Sequence, residues 1–116
     1  MAGQYFRILD AQTLSASKAQ DRTQVLDLGA YTQLNIHARV IQIGTGTDAN
    51  ATVALEHASV NEETAFTPLS TASWRVDSTA TGGFVQITAF LRYVRWVTGS
   101  AVAGAPIVII EGVAKE

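Results

Sequence analysis

Gln33–Ile43 reads QLNIHARVIQI. Leu34, Ile36, Ala38 and Val40 fall on one face of an extended chain, and Asn35, His37 and Arg39 on the other. Successive side chains of a strand point to opposite faces, so this pattern predicts a β-strand with one face on a core. The turn residues Gly44-Thr-Gly-Thr-Asp48 end it.

The same period of two runs outward in both directions. Gln4–Leu9 is a short strand with Tyr5 and Phe6 near its centre, and Thr23–Leu28 is a second, stopped at Gly29. Ala51–Ser59 sets Val53 and Leu55 against Thr52, Ala54 and Glu56. Ser73–Val76 is a short strand around Trp74; Gly82-Gly83 is a hinge or tight turn; Phe84–Thr88 and Phe90–Thr98 follow. Ile107–Ala114 closes the chain after Pro106, a residue suited to the start of a strand. It is apolar on both faces, so it is either central to a two-sided core or covered by a neighbouring chain. Asp10–Asp21, Val60–Pro68 and Gly99–Ala105 read as polar or turn-rich connections. About eight short strands without a helix predict an all-β fold: a single antiparallel β-sandwich, jelly-roll-like, spanning residues 1–116. Asp10–Asp21 has Leu14 as its only large apolar residue, so residues 1–22 are expected to form an N-terminal arm that orders on a partner.

Composition narrows the function classes. The chain has 116 residues, near the commonest size of one domain. It has no cysteine, so disulfides and thiolate metal sites are excluded. The net charge is -2 and no Lys/Arg block exists, which argues against nucleic acid. Only 16% of residues are charged, against about 25% in an ordinary domain. Ala, Thr, Ser and Gly fill the difference, giving a surface with few ions to strip of water. That suits an exterior covered by neighbours, and equally a plain Thr-rich β domain. MAGQYFRILD has neither the basic nor the apolar region of a secretory signal. The longest apolar run, Ile107–Ile110, is far shorter than the ~20 residues of a membrane helix. No export and no membrane span are therefore expected.

The search for chemistry yields no catalytic or metal-ligating set and no cofactor motif, so no enzyme is expected. His37 lies on a polar face, and His57 shares the parity of Val53 and Leu55; neither sits in an H-x-H or H-E-x-x-H spacing. Asp48-Ala-Asn50 begins like a calcium loop but lacks the required Gly and Glu further on. Gly44-Thr-Gly46 lacks the third glycine of a dinucleotide fingerprint. Adjacent Glu62 and Glu63 point apart and suit a solvated loop better than a glycosidase pair.

ITAFLRYVRWVTGS (Ile87–Ser100) is the unusual stretch. In an ideal strand Phe90, Arg92, Val94 and Trp96 share one face, and Leu91, Tyr93, Arg95 and Val97 the other, so both faces are mixed. The rings are expected to fill the core with the arginines at its rim. At least one arginine is expected to meet a partner, because Arg, Trp and Tyr carry interfaces.

Ala51–Thr71, ATVALEHASVNEETAFTPLST, and Phe90–Lys115, FLRYVRWVTGSAVAGAPIVIIEGVAK, carry a family look. Together they resemble small phage-encoded β-sandwich virion proteins of the capsid-decoration or minor head and tail type. Leu55, His57, Ser59, Phe66 and Leu69 fit the first part of that pattern, and Arg92, Tyr93, Val94 and Arg95 the second. Asn61-Glu-Glu-Thr64 stands where the pattern has an Asp-Gly-type turn. RYVRW is also similar to the C-terminal strands of discoidin-like, galactose-binding-type sandwiches. The first resemblance implies a virion component made in the host cytoplasm, a homo-oligomer that also binds a shell or tail protein. Tyr5, Phe6 and Arg7 on the arm, and Trp74, Arg92 and Arg95 on the body, are its candidate contacts. The second implies a carbohydrate-binding module, for which Tyr31, Phe66 and Trp74 are the available rings.

Overall fold

The computed structural model describes residues 3–14, 18–29, 31–42, 50–77, 82–99, 104 and 106–116. β3 (Gln33–Gln42) behaves as its sequence requires. Leu34, Ile36 and Ala38 are buried, while His37 is exposed. The other strands are β1 (Gln4–Thr13), β2 (Leu26–Asp27), β4 (Asn50–Ala58), β5 (Thr67–Asp77), β6 (Gly82–Ile87), β7 (Tyr93–Thr98) and β8 (Ile107–Lys115). Short 3-10 turns occupy Arg22–Gln24 and Glu63–Ala65. Among the described residues no helix is long and apolar enough to cross a membrane.

The strands form two four-stranded antiparallel sheets: sheet A, ordered β1-β8-β3-β6, and sheet B, ordered β2-β7-β4-β5. β4 pairs with β5, β3 with β6, β2 with β7 and β1 with β8. The chain is thus one long hairpin about the β4–β5 connection, with successive rungs dealt alternately to the two sheets. This is the eight-stranded jelly roll. β3–β8 and β4–β7 pairings complete each sheet.

The inner faces meet in one core. β3 gives Leu34 and Ile36, β8 gives Val108 and Ile110, β4 gives Val53 and Leu55, and Trp74, Val94 and Trp96 come from β5 and β7. Each such side chain contributes roughly 1.5–3 kcal/mol by leaving water. β8 lies between β1 and β3, and its inward residues Val108 and Ile110 are in the core. Ile109 on its outward parity is buried as well.

Three sequence expectations change. The first 22 residues are not an arm over their described part. β1 pairs along β8 from Gln4↔Ala114 to Thr13↔Ile107 and buries Phe6, Ile8 and Leu9. Two register shifts, between Arg7 and Leu9 and between Leu9 and Gln12, each insert an extra residue. Such bulges break the alternation, which is why adjacent Ile8 and Leu9 both turn inward. Ala11, inside the second bulge, has φ of 25°. The chain then runs beside β7, where Thr98 N donates to Lys18 O at 2.8 Å and Gln20 N to Trp96 O at 3.0 Å.

Gly82-Gly83 is the second change. Both glycines lie in β6, opposite Arg39 and Ala38, rather than in a turn. A Cβ on Gly83 would sit 3.6 Å from the Trp74 ring, an ordinary van der Waals distance, so Gly83 lies over the indole of the facing sheet.

The third change concerns strand ends. β5 starts at Thr67, because the register shift opposite Ala54–Glu56 adds residues between Pro68 and Ser73. β2 shrinks to Leu26–Asp27 because Arg22–Gln24 turns under an Asp21 cap. Phe90–Arg92 precede β7 instead of joining it. The Gly44–Asp48 turn, and with it most of the calcium-like stretch, lies outside the described residues, as does most of the Gly99–Ala105 link.

Candidate functional site

The outer face of sheet A is a set of rows fixed by register. One row runs Tyr5, Val113, Asn35, Gln86 from edge to edge, and the next runs Arg7, Glu111, His37, Phe84. Glu111 is the hub. Its carboxylate accepts from Arg39 Nε at 2.7 Å, from Tyr5 Oη at 2.9 Å and from Arg7 Nη2 at 3.5 Å. Arg7 also reaches Asp10 at 2.8 Å. The hydrogen bond from Arg39, then that from Tyr5, pulls the Glu111 carboxyl down to about 2. The same contact with Glu111 raises Arg39, and Asp10 raises Arg7. Gln86 Nε2 donates to Asn35 Oδ1 at 2.9 Å in the neighbouring row. Around this polar centre stand two rings open to solvent, Phe84 at 67% exposed and Tyr5 at 55%; Ile41, 52% exposed, lies at the register shift between Val40 and Gln42. Tyr5 is on edge strand β1 and Phe84 on edge strand β6, so the exposed rings flank the face.

Around Arg95 the outer face of sheet B is covered by its own chain. Arg95 points outward from β7, yet only 5% of it is exposed. Its Nε donates to Glu56 Oε1 at 3.0 Å and its Nη1 to Glu63 Oε2 at 3.0 Å. Its guanidinium lies 4.2 Å from the centre of the Phe66 ring, a cation–π contact. Glu63 and Phe66 belong to the β4–β5 connection, which is therefore strapped down over the sheet. Asn61 Nδ2 holds Arg22 O at 2.9 Å on the same strap. Burial works against the Arg95 charge, but its hydrogen bonds to Glu56 and Glu63 outweigh it and raise its pKa.

A third feature lies at one end of the sandwich. Arg92 forms a two-pronged pair with Asp27, Nε to Oδ1 at 2.9 Å and Nη2 to Oδ2 at 3.1 Å, and its guanidinium is 5.1 Å from the Tyr93 ring centre. Arg92 first, and then the Gly29 N–H, hold the Asp27 carboxyl below the ordinary carboxylate range. Beside this pair is an open depression of about 250 Å³ lined by Leu28, Gly29, Tyr31, Phe90, Leu91 and Arg92. The Leu91 N–H donates to His57 Nδ1 at 3.1 Å, so His57 pins the segment that leads into β7.

The residues singled out in the sequence are thereby divided. Tyr5 and Arg7 stand on the open face of sheet A, and Arg92 is exposed but held by Asp27. Phe6, Phe66, Trp74 and Arg95 are buried within the chain, the first and third in the core and the other two against each other. Each of these four is 8% exposed or less. Tyr31 is half-buried at the depression. Sequence reasoning missed Phe84, Ile41 and Glu111. Strand parity placed Phe84 on a face but gave no neighbours, and only the β1–β8–β3 register brings Glu111 between Arg7 and Arg39. Among the described residues no three His, Asp or Glu side chains gather to hold a metal ion. No family model matches the chain, and no curated protein matches its sequence.

Proposed function

We propose that this chain is a non-enzymatic structural module of a phage-type virion, which packs on copies of itself or on a shell or tail protein. The outer face of sheet A is the contact surface. The observation that carries the reading is the company kept by Phe84 and Tyr5. These exposed apolar side chains share their face with Arg7, Arg39, Asp10 and Glu111, ions already matched to one another. Burying an unmatched ion costs several kcal/mol, whereas covering a face whose ions are paired strands no charge. The low charge content acts in the same direction. Jelly rolls serve viral capsid and lectin domains alike, so the topology supports the reading by analogy of fold. The resemblance of Ala51–Thr71 and Phe90–Lys115 to phage β-sandwich proteins favours the virion over the lectin.

Light scattering from micromolar to millimolar concentration, with electron microscopy, tests this. A discrete oligomer or regular array is expected. Growth beyond a dimer should be lost in a Tyr5→Asp variant that keeps the wild-type circular dichroism. A monomer throughout the range overturns the proposal.

Glycan recognition is the second reading, favoured by the depression with Tyr31 and Phe90 in its wall. Aromatic walls with a few polar groups are what small-molecule sites use. A glycan array probed with the chain should then give binding that Tyr31→Ala removes; an array with no bound glycan ends this reading.

A further inference from the structure

We infer that β6 is a self-pairing seam, through which two copies join edge to edge into one continuous eight-stranded sheet. This rests on the assembly reading and names its first contact.

A two-sheet sandwich has four edges, and three of them here are spoiled for pairing. β1 is bent by two bulges and carries Arg7 and Asp10. β5 has Pro68 near its start and a register break behind it. β2 is two residues long, and the rest of the β7 flank is taken by Lys18–Gln20. Charges, proline, bulges and short length are the devices that keep edges from pairing. β6, GGFVQI, has none of them. Its six residues follow β3 without a register shift, from Leu34↔Ile87 to Arg39↔Gly82, and no residue is charged. Among the described residues it pairs only with β3. In an antiparallel ladder every second residue turns its N–H and C=O away from the existing partner. Among the described residues, half of β6 therefore presents donors and acceptors without a ladder partner along a straight edge.

The occupant that fits is the same strand of a second copy. A two-fold axis sets identical antiparallel edges against each other, so length, spacing and parity match automatically. β6 bears no charge that would repel its copy or select a partner of opposite sign. Facing side chains must share a face, which requires an even sum of the paired residue numbers. The register with Phe84 opposite Phe84 satisfies this and sets the most exposed ring of the molecule against its own copy. Cross-strand aromatic pairs are among those that stabilise sheets.

The absence of cysteine makes the test clean. Phe84→Cys would carry the only thiol, and facing residues of two strands are near disulfide distance. Under mild oxidation Phe84→Cys should give a covalent dimer at least about tenfold faster than Ile41→Cys, because pairing raises the local thiol concentration. Phe84→Lys and Phe84→Asp should each be monomeric, and an equimolar mixture of the two should restore the dimer. Circular dichroism checks that each variant is folded; position 84 is exposed, so folding should persist. An oligomer whose formation is indifferent to Phe84→Asp, or equal oxidation rates at 84 and 41, sinks the seam and leaves the assembly reading standing. A wild-type monomer at millimolar concentration sinks both.

Discussion

Arg39 and Arg95 hold equivalent posts, each on the outward side of an inner strand and each bonded to a carboxylate. They differ in what lies above them. Over Arg95 the β4–β5 strap brings Glu63 and Phe66, and the guanidinium is nearly sealed from water. Over Arg39 nothing described closes, and its side chain stays 40% exposed beside Glu111. One sheet has used its outer cation to fasten its own chain. The other leaves its matched ions on an open face edged by Tyr5 and Phe84. A charge pair is thus a fastener where the chain covers it and stays on an open face where nothing described does.

The largest expected break in this contrast is at Arg95. Arg95→Ala removes the cation that Glu56 and Glu63 share and the lid on Phe66. Deleting one partner of a buried pair costs about 3–5 kcal/mol, but Glu63 is mostly in water, so about 2–3 kcal/mol is expected, less than full burial would give. Urea denaturation measures it, and a loss below about 1 kcal/mol would mean that the strap is not fastened by Arg95. Glu111→Gln should cost less, because its arginines remain hydrated. Its signature is in pH. The folded carboxyl sits at about 2, below the ordinary 4.5, so its stabilisation is complete above 4.5 and disappears as pH falls toward 2. The gap in thermal midpoint between wild type and Glu111→Gln should therefore narrow over that interval, and a constant gap would show that Glu111 acts through packing alone. Smallest is Asp27→Asn, which loosens the exposed pair with Arg92. Its midpoint at neutral pH should match the wild type within error, since exposed pairs contribute little. A clear drop would make that end of the sandwich a structural clasp rather than a surface.

The residues that were legible in the sequence are those whose fate depends on near neighbours. Leu34, Ile36 and Ala38 alternate without interruption, and β3 followed. Val108 and Ile110 sit in a run apolar on both sides, and both are in the core. Of β1 only Gln4–Leu9 was legible: its bulges place Ile8 and Leu9 on the same side, a pattern that a period of two cannot register, and its continuation to Thr13 read as a connection. Gly82-Gly83 looked like a turn because a pair of glycines is read locally, whereas their pairing with Arg39 and Ala38 is set by β3, distant in the sequence. The same holds for the candidate surfaces. Whether Arg95 faces a partner or its own chain depends on Glu63 and Phe66, far along the sequence and brought back by the β4–β5 connection. Phe66 and Trp74 were offered as sugar-facing rings because ring identity is visible in a sequence and burial is not.

The nested hairpin also sets an order of assembly. The His57↔Thr67 pair joins residues ten apart, and Thr13↔Ile107 joins residues 94 apart (107 minus 13). Closing the larger loop costs about 2 kcal/mol more in chain entropy. β1 is thus the last strand to zip and, lying on an edge, the first to unzip. Native-state hydrogen exchange should find its amides opening at a lower free energy than those of β4 and β7; equal protection would mean that the barrel-like wrap closes in a single concerted step.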